Sequence, residues 1–303
     1  MTPSGLSLPH ALLALAVVAV WGTNFVIISI ALHEMPPLLF ATLRFVFALL
    51  PAAMFLKRPA VPWRHLAAYG LLIGAGQFGL LYIAMRGHIS PGLASLIVQM
   101  QVFFTIGLSV RLAGERVMGF QWVALALGTA GIAVIASNTD STTTPLGLAL
   151  VLMAALSWAG GNLVAKASGR ANMLAYVVWA SLFSVPPLLV LSLLVEGWPT
   201  ILGSLRHAGA ATWAAVLWQS VGNTLFGYAA WAWLLARYPA ATISPMALLV
   251  PVFGMGASAW WLAEPLPPWK LAAAALVLGG LALNILYPRW RNRLAFGRVP
   301  GGS

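Results

Sequence analysis

The sequence predicts an all-α polytopic membrane protein: ten transmembrane helices arranged as two inverted five-helix repeats, with both termini cytoplasmic. Three observations predict it. Of 303 residues, 61% are hydrophobic and 7% charged, which leaves too little polar surface for a water-soluble globule of this size. Runs of about twenty apolar residues, enough to cross roughly 30 Å of hydrocarbon at about 1.5 Å per residue, recur along the whole chain. Finally, the chain echoes itself: Ser95, Phe104, Gly107, Ser109, Glu115 and Gly131 return 149 positions later (264 − 115 = 149) as Ser244, Phe253, Gly256, Ser258, Glu264 and Gly280. Five segments is an odd number, so a duplicated unit enters the membrane the other way up the second time.

The segments read as residues 8–31, 36–56, 65–85, 91–112, 118–137, 146–167, 172–195, 210–235, 239–263 and 266–288. The first is too long for a signal-peptide core, has no Lys or Arg before it and contains Asn24, so it is read as retained. This gives a first repeat at 1–137, a polar periplasmic linker at 138–145, a second repeat at 146–288 and a basic cytoplasmic tail at 289–303. The fifth segment of each half is built from Ala, Leu and Gly, which suits close packing. Pro36, Pro37, Pro91 and Pro239 stand at segment starts, where a missing N–H costs nothing. Pro186, Pro187, Pro245 and Pro251 fall inside segments and are expected to interrupt or kink them, Pro251 as a hinge or gate candidate.

The net charge of +11 is explained by its distribution. Lys57, Arg58, Arg64, Arg111, Arg116, Lys166, Arg170, Arg237, Arg289, Arg291, Arg293 and Arg298 fall on one side of the ten-segment scheme. Only Arg86, Arg206 and Lys270 fall on the other, with Arg44 inside a segment. Twelve against three is the positive-inside signature, and it turns the tail toward anionic lipid. No basic groove or soluble domain accompanies the charge, so nucleic acid is not an expected partner.

The residues do not assemble a catalytic centre. Glu34, Glu115, Asp140, Glu196 and Glu264 all map to segment ends or loops, as do the five histidines, without metal-ligand spacing. There is no cysteine, so disulfides and thiolate metal sites are excluded. No enzyme, metal or cofactor is expected. A pump built on a mid-membrane carboxylate is disfavoured on the same ground.

Neutral polar residues are placed differently, within the spans and on shared helix faces. Trp21, Asn24, Phe25 and Ile28 make one stripe, and Gly74, Gln77, Phe78, Leu81 and Tyr82 a second. Ser95 pairs with Gln99, Trp158 with Asn162, and Gln219 with Asn223 and Phe226, while Tyr228 lies nearby. An amide in hydrocarbon is costly unless it bonds another helix or faces water. Two readings follow: amides that glue helices together, or a shared polar and aromatic cavity near the repeat interface, where small zwitterions with apolar side chains would bind. Arg44 lies eight residues into its segment, about 12 Å deep, and needs a partner: a substrate carboxylate, or carbonyls at a neighbouring helix end. Glu115 and Glu264 close the fourth segments at opposite faces and are candidates to gate by pairing with a nearby cation.

The run Val20, Trp21, Gly22, Thr23, Asn24, Phe25, with Met35, Pro36, Pro37 and Leu43, Arg44, Phe45, resembles the opening of EamA-type carriers of the drug/metabolite transporter superfamily. Ser157, Trp158, Gly161 and Asn162, then Gly114, Glu115 and Arg116, then Leu249, Val250, Pro251, Ala263 and Glu264, extend the resemblance over residues 10–292. It implies two inverted five-helix repeats and a secondary transporter exporting amino acids and related metabolites across the bacterial inner membrane. The branches it looks most like export cysteine and O-acetylserine, or aromatic amino acids. Multidrug efflux and, in another class, a ligand-gated pore are the alternatives. Small-residue spacing such as Gly70 with Gly74 suits helix contact in a monomer or a homodimer.

Overall fold

The computed structural model describes residues 6–113, 117–169 and 171–296, all in helices and their connections, with no strand among them. Eleven helical rods follow one another: α1 (Leu8–Ala31), α2 (Pro37–Ala53), α3 (Trp63–Met85), α4 (residues 91–113), α5 (Gly119–Ala136) and α6 (Pro145–Ala167). Then come α7 (Met173–Val195), α8 (Trp198–His207), α9 (residues 210–237), α10 (residues 240–261) and α11 (Pro268–Phe296). Seven of these, α1, α3 to α7 and α11, are long and apolar enough to cross a membrane. Large apolar side chains such as Leu12, Leu50, Phe55, Trp122 and Leu194 face outward, as lipid contact requires and water would not favour.

Local signals set the helix starts. Proline opens α1, α2, α4 and α6 in the first turn, where its fixed φ suits the helix. Thr144 accepts a hydrogen bond from the Gly147 N–H at 3.0 Å, and Asn172 one from Ala175 at 3.2 Å, capping α6 and α7.

Four features depart from the sequence expectation. Helix α8 was not foreseen, since only Ile201 of its residues is buried and no apolar run marks it. Helix α2 stops at Ala53, two residues after Pro51, whereas α11 runs through Pro288 to Phe296 instead of ending at 288. Helix α7 continues unbroken across Pro186 and Pro187. Their missing N–H groups free the carbonyls one turn earlier without stopping the helix. Pro245 lies instead in a tight 3₁₀ stretch, Ser244–Leu249, and Pro251 in the first turn of the α-helical stretch that follows.

Packing repeats itself between the halves. Helix α1 lies against α9 and α10, and α6 lies correspondingly against α3 and α4. Helices α2 and α7 pack on each other; α2 also meets α9, as α7 meets α3. The last pair, α5 and α11, shows the relation atom by atom. A Cβ on Gly131 would meet Val277 at 2.6 Å, Ala273 O at 3.1 Å and Leu276 at 3.3 Å. One on Gly280 would meet Ala124 O at 2.6 Å, Gly128 N at 3.2 Å and Leu127 at 3.3 Å. Each of these four residues is displaced by 149 from its counterpart (280 − 131, 273 − 124, 276 − 127, 277 − 128). The two helices therefore meet through one self-complementary surface, the property of a two-fold interface.

The symmetry extends to irregular backbone. Leu71–Gly79 in α3 and Trp218–Phe226 in α9 are both π-helical, nine residues each and 147 apart at either end (218 − 71, 226 − 79). Stretches this long are rare, and π-helical turns occur frequently at functional sites.

Candidate functional site

The two π-helical stretches bring Gln77, Phe78, Gln219, Ser220, Asn223 and Thr224 into the protein interior. Between them sits Arg44 of α2, 1% exposed. Its Nη1 donates to the Tyr82 hydroxyl at 3.0 Å and to Gln219 Oε1 at 3.1 Å, and its Nη2 donates to Thr224 Oγ1 at 3.2 Å. The guanidinium carbon lies 3.6 Å from the Phe78 ring centroid, a cation–π contact removed from water. Ser220 donates to the Arg44 carbonyl at 3.0 Å, which fixes the backbone beneath the charge.

Gln219 is the centre of this hub. Its Nε2 donates to Asn24 Oδ1 at 2.7 Å, and its Oε1 accepts from Asn24 Nδ2 at 3.4 Å, from Tyr82 at 3.1 Å and from Arg44. Four helices, α1, α2, α3 and α9, are thereby joined across the boundary between the halves. Asn24, Tyr82, Gln219 and Thr224 are all buried, so the hub is closed in this conformation. A separate cavity of about 410 Å³ lies at the helix ends by Ser29, His33, Arg86 and Thr142, away from the hub.

Flanking the hub, the Trp21 indole N–H donates to the Asn223 carbonyl at 3.2 Å, and its ring packs on Tyr228 and Trp231 with centroids 5.9 and 5.2 Å away. Gln77, Gln99 and Asn223 are buried, yet among the described residues their side-chain amides form no hydrogen bond, and none is fully enclosed. Asn162 of α6 makes a separate cluster, donating to Gln101 at 2.8 Å and to Thr105 at 3.5 Å on α4. Trp158 is half-buried against the apolar core. Ser95 bonds its own helix, donating to the Gly92 carbonyl at 2.7 Å, and fills the space beside Gly254, which places it in helix packing. Pro251 is buried in α10 where Val250 and Phe253 close on Gly22 of α1.

Arg44 therefore binds side chains rather than the carbonyls at a helix end that the sequence reading offered as its structural partner. Thr224, Ser220, Gln101 and Thr105 were not singled out from sequence. Gln101 and Thr105 did carry a signal, four residues apart on one helix face. Thr224 carried none, because it is turned inward by the π-helical register, bonding the Gln219 carbonyl five residues back at 2.8 Å.

Three carboxylates tie the halves together at the helix ends. Glu34, after α1, accepts from the Gly209 N–H at 2.8 Å and the Thr212 hydroxyl at 2.6 Å at the start of α9. Glu196, after α7, accepts from Leu38 and Leu39 N–H at 2.6 and 3.0 Å at the start of α2. Glu264, after α10, accepts from Ser90 at 2.5 Å and Gly92 N–H at 3.0 Å at the start of α4, binds Ser258, and pairs with Lys270 at 2.8 Å. A carboxylate at a helix N-terminus meets both unpaired N–H groups and the positive end of the helix dipole. The Thr212 and Gly209 bonds hold the Glu34 carboxyl below its ordinary range. Burial pushes Glu264 up, but the bonds from Lys270, Ser258 and Ser90 outweigh it and hold that carboxyl low. Glu115, the repeat counterpart of Glu264, lies outside the described residues.

A helical membrane protein with duplicated packing and a polar hub between its halves has the architecture that many transporters share. The chain belongs to the EamA-like transporter family, whose pattern matches residues 8–137 and again 145–286. It is 38% identical over 96% of its length to the whole of a protein of Escherichia coli strain K12 called "Probable amino-acid metabolite efflux pump". It is 41% identical over 92% of its length to 96% of a Salmonella typhimurium protein of the same description. A solved structure described only as a protein superposes with a TM-score of 0.62 at 17% identity, over 93% of this chain and 97% of the other, a likeness of fold. The protein is thus a multi-pass inner-membrane exporter of small molecules, a transporter and not an enzyme.

Proposed function

We propose that the chain exports amino acids, hydrophobic and aromatic ones among them, and related metabolites, by alternating access around the Arg44–Gln219 hub. The observation that carries this reading is the hub itself: a charged and amide-rich cluster drawn from both halves, enclosed where hydrocarbon would make it costly unless it had a purpose or full satisfaction. Aromatic rings at Phe78, Tyr82, Trp21 and Tyr228 border it, and the amides of Gln77 and Asn223 stand uncommitted beside them. That combination suits a zwitterion with an apolar side chain. The relatives described as amino-acid efflux pumps supply the cargo class.

The reading includes ten spans in two inverted repeats, 1–137 and 146–288, with both termini cytoplasmic. At about 1.5 Å per residue, α9 and α10 exceed roughly 30 Å, and the apolar α2 falls a few ångströms short. The twelve-to-three division of Lys and Arg supports the orientation. On it, Glu34, Glu196 and Glu264 all lie on the periplasmic side, so the described conformation is closed to the periplasm. An inverted pair of repeats exchanges roles when the carrier opens the other way.

Efflux of hydrophobic cations is disfavoured, because Arg44 already places an uncompensated positive charge at the hub. Counterflow of a labelled amino-acid panel in proteoliposomes tests the proposal. Acceleration by internal amino acid above empty vesicles is expected, with a reduced rate on replacing Gln77, Tyr82 or Trp158. Equal uptake for every amino acid with and without internal load contradicts it.

A further inference from the structure

We infer that Arg44 is the carboxylate-binding residue of the transport site, and that Gln219, Tyr82 and Thr224 hold its donors in reserve until an anionic ligand replaces them; this deepens the proposed amino-acid export and rests on it. A guanidinium is charged at every accessible pH. Enclosed in a membrane protein it pairs with a carboxylate or with backbone carbonyls. Among the described residues none pairs with Arg44: Glu34, Glu196 and Glu264 are committed at helix ends, and Asp140 is folded onto Thr142 and Thr143 in its own loop. Every acceptor that Arg44 does have is neutral. Its Nε is buried and has no acceptor at all.

A purely structural arginine would be expected to be fully satisfied, since a partly satisfied buried network is worse than none. Here the planar fork, which matches a carboxylate in bidentate geometry, is instead shared among a phenol, an amide and a hydroxyl. None of the three is charged, so a carboxylate offers the fork a stronger, charge-assisted partner than any of them. Phe78 covers the guanidinium, its ring centroid 3.6 Å from Cζ, and a carboxylate would take the Nη1 and Nη2 positions where Gln219 and Thr224 now stand. The Gln219 amide, released, keeps Asn24 as its partner through the 2.7 Å bond. The ligand class follows: an α-carboxylate whose apolar side chain is received by the neighbouring rings.

The test is ligand-dependent thermal stabilisation of the full-length protein in detergent, using L-phenylalanine, L-cysteine and L-threonine, each beside its uncharged-carboxyl amide. Wild type is expected to prefer at least one acid over its amide by about tenfold or more, the scale of one charge-assisted hydrogen bond. Arg44→Gln should bind acid and amide equally. Gln219→Glu places an internal carboxylate where the 3.1 Å bond to Arg44 now lies; it should fold with unchanged or raised thermal stability and lose the acid preference, even where Arg44→Gln proves too unstable to assay. Equal binding of acid and amide by wild type, binding of neither, or a preference that survives in folded Gln219→Glu overturns the inference. Counterflow of amino acids by a wild type that binds acid and amide equally would leave the export reading standing and remove Arg44 from it.

Discussion

Arg44 and Gln219 meet at 3.1 Å across the boundary between the two halves of the chain, and Gln219 turns its other end to Asn24. One amide therefore serves a cation, a phenol and a second amide. Gln219→Leu should lower the thermal midpoint in detergent more than Asn24→Leu, because it strands three partners rather than one. A double-mutant cycle on the Asn24–Gln219 pair should give a coupling of about 0.5–2 kcal/mol, the range of amide hydrogen bonds between membrane helices.

Two glycine pairs of the 149-residue echo behave differently. Gly131 and Gly280 have no room for a side chain at the α5–α11 contact, while Gly107 and Gly256 have nothing within 4 Å of an added Cβ. Gly131→Leu and Gly280→Leu should each destabilise by about 1–3 kcal/mol, the usual cost of overpacking. Gly107→Ala and Gly256→Ala should be neutral or stabilising, by up to roughly 1 kcal/mol of helix propensity. Thermal unfolding of the four variants separates packing glycines from those that merely echo.

The carboxylate ties predict a pH dependence. Glu264 and Glu34 are held below the ordinary value of 4.5 in the folded chain. Each therefore contributes stability that is complete above pH 4.5 and is lost as pH falls through the lower folded value. Glu264→Gln should reduce the wild-type decline below pH 4.5, and at neutral pH it should cost about 3–5 kcal/mol, because Lys270 is left buried without its partner. Midpoints recorded across the acid range for both proteins check this.

Helix class and most helix positions were legible because apolar runs and proline starts act locally. The echo was legible too, and Gly131 with Gly280 shows what it encodes: a contact surface that must match its own image. What sequence could not give was the register inside helices. Thr224 reaches Arg44 only because α9 is π-helical from Trp218 to Phe226, which shifts residues off the ordinary helical face. Ser95 lay on a plausible polar face but packs against Gly254, since a serine can satisfy itself on its own helix. The end of α2 follows Pro51 and not the end of the apolar run, while α8 and the last turns of α11 form where no apolar run marks them.

The chain has no cysteine, so Gln77→Cys and Asn223→Cys each introduce a lone thiol where an uncommitted amide borders the hub, in the π-helical stretches that carry Phe78 and Gln219. The rate of alkylation of these thiols by a membrane-permeant maleimide, with and without saturating amino acid, tests the location of the transport site most directly. The account predicts at least a several-fold slowing by a transported amino acid in both variants. Alkylation at the same rate with and without an amino acid that the same variant transports would contradict it.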